Sequence, residues 1–303
     1  VRDIVQKNFA GVLEAAKTKK HKRICVAAAH DEDTLRVVIE AKRLGLASST
    51  LIGDKEKMWQ VARKLNTDIS DFEIIKEPDI IKSARLAVDM VSSGHADILM
   101  KGIMQTADIM RVVLNKETGL RGSGLLSHVG IMEVQSYDRL IFMSDAGLNI
   151  APDLQKKAAI LQNAVDASIA LGNEKPNVAI LSALELVNPD IPSTLDAAAL
   201  CKMADRGQIK NCVVDGPLAL DNAISLIAAR HKGINSPVAG QTDVFIVPNM
   251  EAGNILYKSL VFFSGAKSCG IIMGARVPMV VTSRADSFES KLNSIAVAML
   301  VSK

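Results

Sequence analysis

Short apolar runs rich in β-branched residues alternate with amphipathic helical patterns along most of the 303-residue chain, and this alternation constrains the fold more than any other feature. Parallel strands need a crossover segment, so alternation of this kind predicts βαβ units around a largely parallel sheet. We therefore expect an α/β fold. Strands are predicted at 24–29, 46–52, 72–76, 98–100, 139–143, 177–181, 212–214, 244–247 and 277–281. Helices are predicted at 4–16, 34–44, 55–65, 79–93, 106–114, 152–171, 194–205, 219–230 and 251–263, with a last one after 285.

Two predicted strands near the end of the chain deliver polar residues to their C-terminal ends. One apolar run ends at Asn249 and Glu251, and a second ends at Ser283 and Arg284. In open α/β sheets this edge is where ligands bind. Arg284 lies just ahead of a predicted helix and suits a phosphate, because its guanidinium and the helix amides can point at one anion.

The helix that follows Arg284 has two acids at its predicted start. Asp286 is expected to be the N-cap, with Glu289 three residues later in the spacing of a capping box. Both acids therefore have a structural interpretation, and a catalytic role for Asp286 stays open beside it. Glu251 also lies at a helix start, where the helix dipole explains an acid equally well.

A third predicted strand ends at Lys101-Gly102. A lysine beside a glycine at a strand end can reach an anion while the backbone approaches closely. A solvated surface lysine is the alternative, and the spacing alone does not decide between the two.

The segment from residue 115 to residue 128 has no helix or strand pattern, and long loops in compact domains are often functional. Its candidate ligands are Arg121, Ser127 and His128, although a lone histidine is more often structural. Gly122-Ser123-Gly124 is interpreted as flexible loop, because it does not stand between a strand and a helix.

Composition excludes several classes of protein. A net charge of +3 is too small to predict a nucleic-acid partner, and the basic run at 17–23 is expected to be a solvated turn. No apolar run approaches the roughly 18 residues of a membrane span, and no signal-peptide pattern precedes the first helix, so we expect a cytoplasmic protein. Reduced, buried thiols without metal-ligand spacing are predicted for Cys25, Cys201, Cys212 and Cys269.

Common catalytic signatures are missing. The turn after the first strand reads AAAHDED and has no glycine, which disfavours NAD bound in the ordinary Rossmann manner. A GxSxG motif is absent and no Cys/His pairing is suggested, so a covalent intermediate is not predicted. Asp215 and Asp221 do not form the aspartate cluster that a metal-dependent dehydrogenase needs, and no metal site is expected.

Several longer blocks resemble the phosphate acetyl/butyryl-transferase family. They are PNMEAGNILYK at 248–258 with TSRADS at 282–287, DILMKG at 97–102, DAGLNIAPDLQKK at 145–157 and RGQIKNCVVDGPLALDNAIS at 206–225. The similarity covers most of the chain, and the C-terminal blocks are closer to the butyryl branch.

The resemblance implies a two-domain α/β/α fold with mostly parallel sheets, similar to that of isocitrate and isopropylmalate dehydrogenases, with the active site in the interdomain cleft. It implies a first domain of 1–127 and 270–303, and a second of 128–269 that forms the cleft and a homodimer contact. The predicted helix at 152–171 is apolar over a wide arc, which indicates burial from more than one direction and favours such a contact.

The activity implied is transfer of a short-chain acyl group between coenzyme A and inorganic phosphate, by direct exchange in a ternary complex. Coenzyme A and its thioester are substrates, and no further cofactor is expected. The implied partners are these small molecules and a second copy of the chain, with neither nucleic acid nor membrane, and the implied setting is butanoate metabolism.

The resemblance also suggests roles for individual residues. Acetyl-specific relatives have an aspartate where this chain has Ser290, which favours the butyryl branch and leaves the thiol base unassigned. The alternatives are Asp286, Glu251, Glu289, or loss of the thiol proton to water or to the substrate phosphate. The predicted catalytic residues are Ser283, Arg284 and Asp286. The predicted phosphate and coenzyme A contacts are Lys101, Gly102, Ser127, Asn249, Glu251 and Asn254.

Three alternatives remain at this point. The first is a phosphate acetyltransferase acting on acetyl-CoA. The second is a dehydrogenase or a phospholipid-pathway acyltransferase on a similar fold. The third is a ligand sensor that has lost its base.

Overall fold

The computed structural model describes residues 7–122 and 124–302. Its strands are β1 (Lys22–Ala27), β2 (Ala47–Gly53), β3 (Glu73–Lys76), β4 (Ile98–Lys101), β5 (Ser127–Glu133), β6 (Ile141–Ser144), β7 (Asn177–Leu181), β8 (Val213–Leu218), β9 (Val244–Ile246), β10 (Lys267–Met273) and β11 (Met279–Val280). Its helices are α1 (Phe9–Thr18), α2 (Glu32–Arg43), α3 (Lys55–Lys64), α4 (Ile80–Ser92), α5 (Thr106–Val113), α6 (Leu154–Ala170), α7 (Pro192–Asp205), α8 (Leu220–Ile224), α9 (Leu226–His231), α10 (Met250–Ser264) and α11 (Phe288–Val301). The predicted start of the first helix at residue 4, and Ser123 of the predicted flexible loop, lie outside the described residues.

One compact unit contains residues 10–122, 124 and 269–302. Its strands run in the order β3-β2-β1-β4-β11-β10, and all the pairings from β3 to β11 are parallel. The register pairs Ala27 with Lys101 and Met100 with Val280, so β1, β4 and β11 end at one edge. The loops that follow these three strands therefore leave the sheet together.

The other unit contains residues 7–9 and 125–268. Its strands run in the order β5-β6-β9-β7-β8, parallel from β6 to β8. Met143 and Phe245 lie in its apolar core, each at most 1% exposed. Phe9 falls in this unit, and its backbone N–H donates to the Glu133 carboxylate at 2.7 Å. Residues 7–9 and 125–127, which were predicted for the first domain, fall in this unit, and residue 269, predicted for the second, falls in the other.

The mostly parallel α/β architecture agrees with the prediction, but two strands were missed. β5 pairs with β6 and β10 pairs with β11, both antiparallel. Each missed strand contains a glycine, a residue that is depleted in strands. Gly130 makes room for an aromatic ring, because a Cβ there would lie 3.0 Å from Cε2 of Tyr257. Gly270 donates its N–H to the Ser294 hydroxyl at 3.1 Å.

The prediction of one continuous helix at 219–230 is wrong, because two short helices occupy this segment. Ser225 has an extended backbone with φ −126° and ψ 112°, and it separates α8 from α9. Its hydroxyl accepts from the Ala228 N–H at 3.2 Å and caps the second helix. A serine that satisfies helix N–H groups favours a cap over a helix interior.

The apolar face of α6 was expected to contribute to a homodimer contact, but most of it is buried within its own unit. Ile160, Leu161 and Val165 are at most 1% exposed, because α6 packs on β5, β6, β9 and α7 of its own unit. Exposed apolar side chains of this unit include Phe262 and Phe263 on α10, which are 74% and 92% exposed. Within the described residues, no helix is both long and apolar enough to span a membrane.

Candidate functional site

The shared edge of β1, β4 and β11 gathers charged residues that are far apart in the chain. Asp31 follows β1 as the N-cap of α2, and its Oδ1 accepts from the Thr34 N–H at 3.0 Å. Lys101 is the last residue of β4. The loop after β11 carries Arg284 and leads into α11. Two long helices therefore begin at this edge, and their free N–H groups favour an anion there.

Gly102 fixes the loops after β1 and β4 to each other. Its N–H donates to the Ala27 carbonyl at 2.8 Å, and the Ile103 N–H donates to the Ala28 carbonyl at 3.0 Å. A Cβ on Gly102 would lie 2.7 Å from the Ala27 oxygen and closer still to the Ala28 oxygen. Glycine is needed for this backbone contact, while contact of Gly102 with an anion stays a prediction.

Lys101 is buried, which rules out the surface-lysine alternative. Its Nζ donates to the carbonyl oxygens of Gly102 at 3.3 Å and Met104 at 3.2 Å. Burial lowers the pKa of Lys101, because desolvation disfavours the ammonium. The charges of Arg284 and Lys291 lower this pKa further, whereas the Asp31 and Asp286 carboxylates raise it.

The predicted N-cap at Asp286 is wrong, because α11 begins at Phe288 and its N-cap is Ser287. The Ser287 hydroxyl accepts from the Ser290 N–H at 3.1 Å. The Asp286 Oδ2 accepts from the Ser283 N–H at 2.7 Å instead. The carboxylate therefore holds the tight turn that presents Ser283 and Arg284, and the helix cap lies one residue later than predicted.

Arg284 is exposed, and within residues 7–122 and 124–302 its guanidinium has neither a hydrogen bond nor an ion pair. Its five N–H donors are thus available to an anion. Lys291 follows within the first turns of α11, buried and ion-paired with Asp33 at 2.7 Å. Lys101, Arg284 and Lys291 place three basic side chains around the N-terminal end of α11.

Four other predicted residues lie in the unit formed by residues 7–9 and 125–268. Asn249 is the N-cap of α10, with its Oδ1 accepting from Ala252 at 2.9 Å, and Asn254 donates to the Ala146 carbonyl at 3.1 Å. Glu251 is exposed in the first turn of α10. Ser127 is fully buried and accepts from the Asn163 amide at 2.8 Å, which favours a structural role. Substrate contacts by these four residues stay predictions.

Asp145, at the end of β6, organises a loop that the sequence signalled only as a strand-end acid. Its Oδ1 accepts from the N–H groups of Gly147 and Leu148, each at 2.8 Å. Its Oδ2 accepts from His128 N–H at 3.1 Å and from the Asn149 amide at 2.6 Å. All four of these donors belong to residues near the end of β6 or the start of β5, so the carboxylate holds the loop in place.

Sequence analysis also missed Asp31 and Lys291 as members of the charged group. Asp31 had the signal of a helix N-cap after a strand, which by itself predicts only a structural role. Lys291 had no signal, since a lysine within a helix pattern is expected on a solvated face. The parallel register and the packing of α11 against α2 bring both to the edge.

The cysteines agree with the prediction of reduced thiols, but only Cys25 and Cys269 are buried, whereas Cys201 and Cys212 are half-buried. All four are free, and burial raises the pKa of Cys25 and Cys201 to about 12 and that of Cys212 to about 11. Complete burial raises the pKa of Cys269 as well. The thiolate is the nucleophilic form, so these residues are poorly suited to covalent catalysis. The described part of the chain has no group of three or more histidine, cysteine or acidic residues that could hold a metal ion.

Comparison with known proteins bears on the same site. A family model described as phosphate acetyl/butaryl transferase matches residues 71–299. Phosphate butyryltransferase of Clostridium acetobutylicum is 49% identical over 295 residues, covering 97% of this chain and 98% of that protein. Phosphate acetyltransferase of Rhizobium meliloti is 46% identical over 289 residues, covering 95% and 92%. A branched-chain phosphotransacylase from Enterococcus faecalis V583 has a crystal structure that matches with a TM-score of 0.80 at 32% identity, covering 92% and 98%.

Proposed function

Because the chain belongs to the phosphate acetyl/butyryl transferase family and is a phosphate acyltransferase, we propose that it transfers a butyryl or branched-chain acyl group between coenzyme A and phosphate. The products from acyl-CoA are an acyl phosphate and free coenzyme A. The observation that carries the assignment of the phosphate site is the exposed Arg284 guanidinium, which bonds to none of the described residues, between a strand end and a helix N-terminus. A guanidinium binds two phosphate oxygens at once, which an ammonium cannot do.

In the proposed reaction, Arg284 holds the phosphate at the N-terminal end of α11, and Lys101 neutralises part of its charge. Phosphate attacks the thioester carbonyl carbon, and the negative charge that develops on the carbonyl oxygen needs a donor. The exposed Ser283 hydroxyl is the proposed donor, and the Asp286 carboxylate holds the Ser283 backbone in place. The carbon–sulfur bond then breaks and coenzyme A leaves.

The wider setting is proposed on chemical grounds. Acyl exchange between a thioester and phosphate transfers no electrons, so the reaction as written needs no resident cofactor beyond its two substrates. Four free cysteines suit a reducing compartment, which supports a cytoplasmic enzyme of butanoate metabolism. The exposed Phe262 and Phe263 support a homodimer, because apolar patches of this kind favour a protein contact.

The test is to incubate the protein with inorganic phosphate and butyryl-CoA, isobutyryl-CoA or acetyl-CoA, and to follow free thiol. We expect a higher kcat/KM for the four-carbon thioesters, by about tenfold or more, since a methylene in a fitting pocket contributes about 1–3 kcal/mol. Thiol release that requires phosphate establishes the reaction and contradicts a dehydrogenase or a sensor. A preference for acetyl-CoA favours the acetyltransferase alternative. This alternative is supported by the phosphate acetyltransferase that is 46% identical to this chain.

A further inference from the structure

Among the described residues, three lysines are buried, and one of them differs from the other two. Lys157 is 5% exposed and pairs with Asp196 at 2.7 Å, and Lys291 is 6% exposed and pairs with Asp33 at 2.7 Å. Lys101 is 7% exposed and has no ion pair with any described residue. A buried ammonium is normally paired, because its desolvation is costly. Among the described residues, Lys101 therefore lacks the carboxylate partner that each of the other two buried lysines has.

The hydrogen bonds of Lys101 fit a neutral amine. A neutral primary amine has two N–H donors and one lone pair, whereas an ammonium has three donors. The carbonyl oxygens of Gly102 and Met104 accept two bonds from Nζ, at 3.3 and 3.2 Å. Both donors of the neutral form are thus used, and the lone pair stays available for a proton.

The charges around Lys101 oppose each other. Arg284, from the loop after β11, and Lys291, from α11, disfavour its ammonium. Asp31, from the loop after β1, and Asp286, from the turn before α11, favour it. The Asp31 Oδ2 is buried and has no hydrogen-bond partner among the described residues. Burial favours the amine, while the two carboxylates allow the ammonium to form transiently, as a group that both accepts and releases a proton requires.

We propose that Lys101 is a catalytic residue that carries the proton between the thiol of coenzyme A and the phosphate. The inference rests on the proposed function and goes beyond it, because it replaces a fixed phosphate cation with a group that changes its charge during turnover. It also supplies an alternative to the carboxylates for the unassigned base.

The proton and charge balance is complete without another reactant. In the direction of thioester synthesis, the Lys101 amine takes the thiol proton, and the thiolate attacks the carbonyl carbon of the acyl phosphate. The carbon–oxygen bond to phosphate breaks, and the Lys101 ammonium gives its proton to the departing phosphate, which leaves as hydrogen phosphate. In the opposite direction the amine takes the proton of hydrogen phosphate and returns it to the leaving thiolate. The neutral amine is the starting form both ways.

The test is amine rescue of Lys101→Ala with butyryl-CoA and phosphate as substrates. A base contributes about 10²–10⁴-fold, so we expect a fall of that size in kcat. Added methylamine should restore part of the activity, and the rescue should grow with pH as the free amine increases. Guanidinium, a cation of similar size that does not release its proton at these pH values, should not rescue.

Several results would overturn the inference. Rescue by guanidinium as good as rescue by methylamine would show that only a positive charge is needed. Near-wild-type turnover of Lys101→Ala would remove Lys101 from the chemistry. The matched control is Lys157→Ala, a second buried lysine placed by its ion pair, whose turnover should not respond to methylamine.

If Lys101→Ala does not fold, Lys101→Arg tests whether Lys101 acts as the base. It keeps the positive charge but cannot act as a base near neutral pH, so kcat should fall by about 10²-fold or more while the KM for phosphate changes little. The wild-type kcat should decline as pH falls through a lysine pKa that lies below its ordinary value, and Lys101→Arg should lack this decline. Wild-type turnover by Lys101→Arg refutes the base role of Lys101 and leaves the proposed function intact. A wild-type protein that shows no phosphate-dependent thiol release refutes the proposed function, and the inference with it.

Discussion

Replacing Arg284 by Gln tests the phosphate site with little structural disturbance. The side chain is exposed and makes no hydrogen bond or ion pair with the described residues, so its removal breaks no polar contact among them. Substitutions of this kind usually change the free energy of unfolding by less than about 0.5 kcal/mol. A change in kinetics can therefore be attributed to the lost guanidinium.

The expected size follows from what the guanidinium is free to do. It offers two parallel charge-assisted hydrogen bonds to an anion that gains charge in the transition state. Losing one preorganised donor of that kind costs about 2.7–4 kcal/mol, or about 10²–10³-fold in kcat. Arg284→Gln should therefore lose at least that factor in kcat/KM for phosphate. Arg284→Lys should recover only part of it, because a point charge does not reproduce the fork.

The assay is thiol release from butyryl-CoA at varied phosphate, with thermal unfolding measured on the same preparations. Arg43→Gln is the matched control, since it removes the same charge from an exposed arginine that pairs with Glu40 within α2 of the same unit. That control should keep wild-type kinetics. Wild-type kcat/KM for phosphate in Arg284→Gln would refute the phosphate assignment, and full activity in Arg284→Lys would refute the bidentate geometry.

Two further predictions concern the turn before α11 and assembly. Asp286→Asn keeps an oxygen that can accept from the Ser283 N–H, so kcat should fall by less than about tenfold, whereas Asp286→Ala should lose more. A fall of about 10²–10⁴-fold in both variants would instead identify Asp286 as the base. Phe263→Glu places a charge on the most exposed apolar side chain of α10 and should give a monomer in sedimentation at micromolar concentration. The control Ile80→Glu, at an exposed position on α4, should sediment like wild type, and an unchanged dimer in Phe263→Glu would place the contact elsewhere.

The sequence predicted the α/β alternation well because the parallel strands are continuous apolar runs bounded by turns. The prediction failed for two strands whose local composition disfavours a strand although tertiary packing requires one. Gly130 and Gly270 lower the strand propensity of β5 and β10, yet Gly130 is required by the ring of Tyr257. Both missed strands pair antiparallel with the next strand along the chain, so no crossover helix lies between the two strands to signal the pair.

Some residues of the candidate site could be predicted from the sequence, and others could not. Ser283, Arg284 and Lys101 could be found from the sequence, because polar residues at the ends of parallel strands converge at one edge. The N-cap of α11 was misplaced by one residue, since Asp286 and Ser287 are both good caps and only the structure shows Asp286 bonded to Ser283. Asp31 and Lys291 could not have been found, because their approach to Lys101 follows from the β1–β4 register and from the contact of α11 with α2.

The two roles considered for Lys101 use the same hydrogen-bond geometry. With two carbonyl oxygens accepting from Nζ, the third position on the nitrogen is a donor when the group is an ammonium and a lone pair when it is an amine. A phosphate in reach of that position is bound by the first form and deprotonated by the second. Asp286 lacks this flexibility, because acting as the base would weaken its bond to the Ser283 N–H, a charge-assisted bond of about 1.5–3 kcal/mol. Lys101 can change its protonation state and keep both carbonyl bonds, and for this reason we assign the proton to the lysine and the turn to the aspartate.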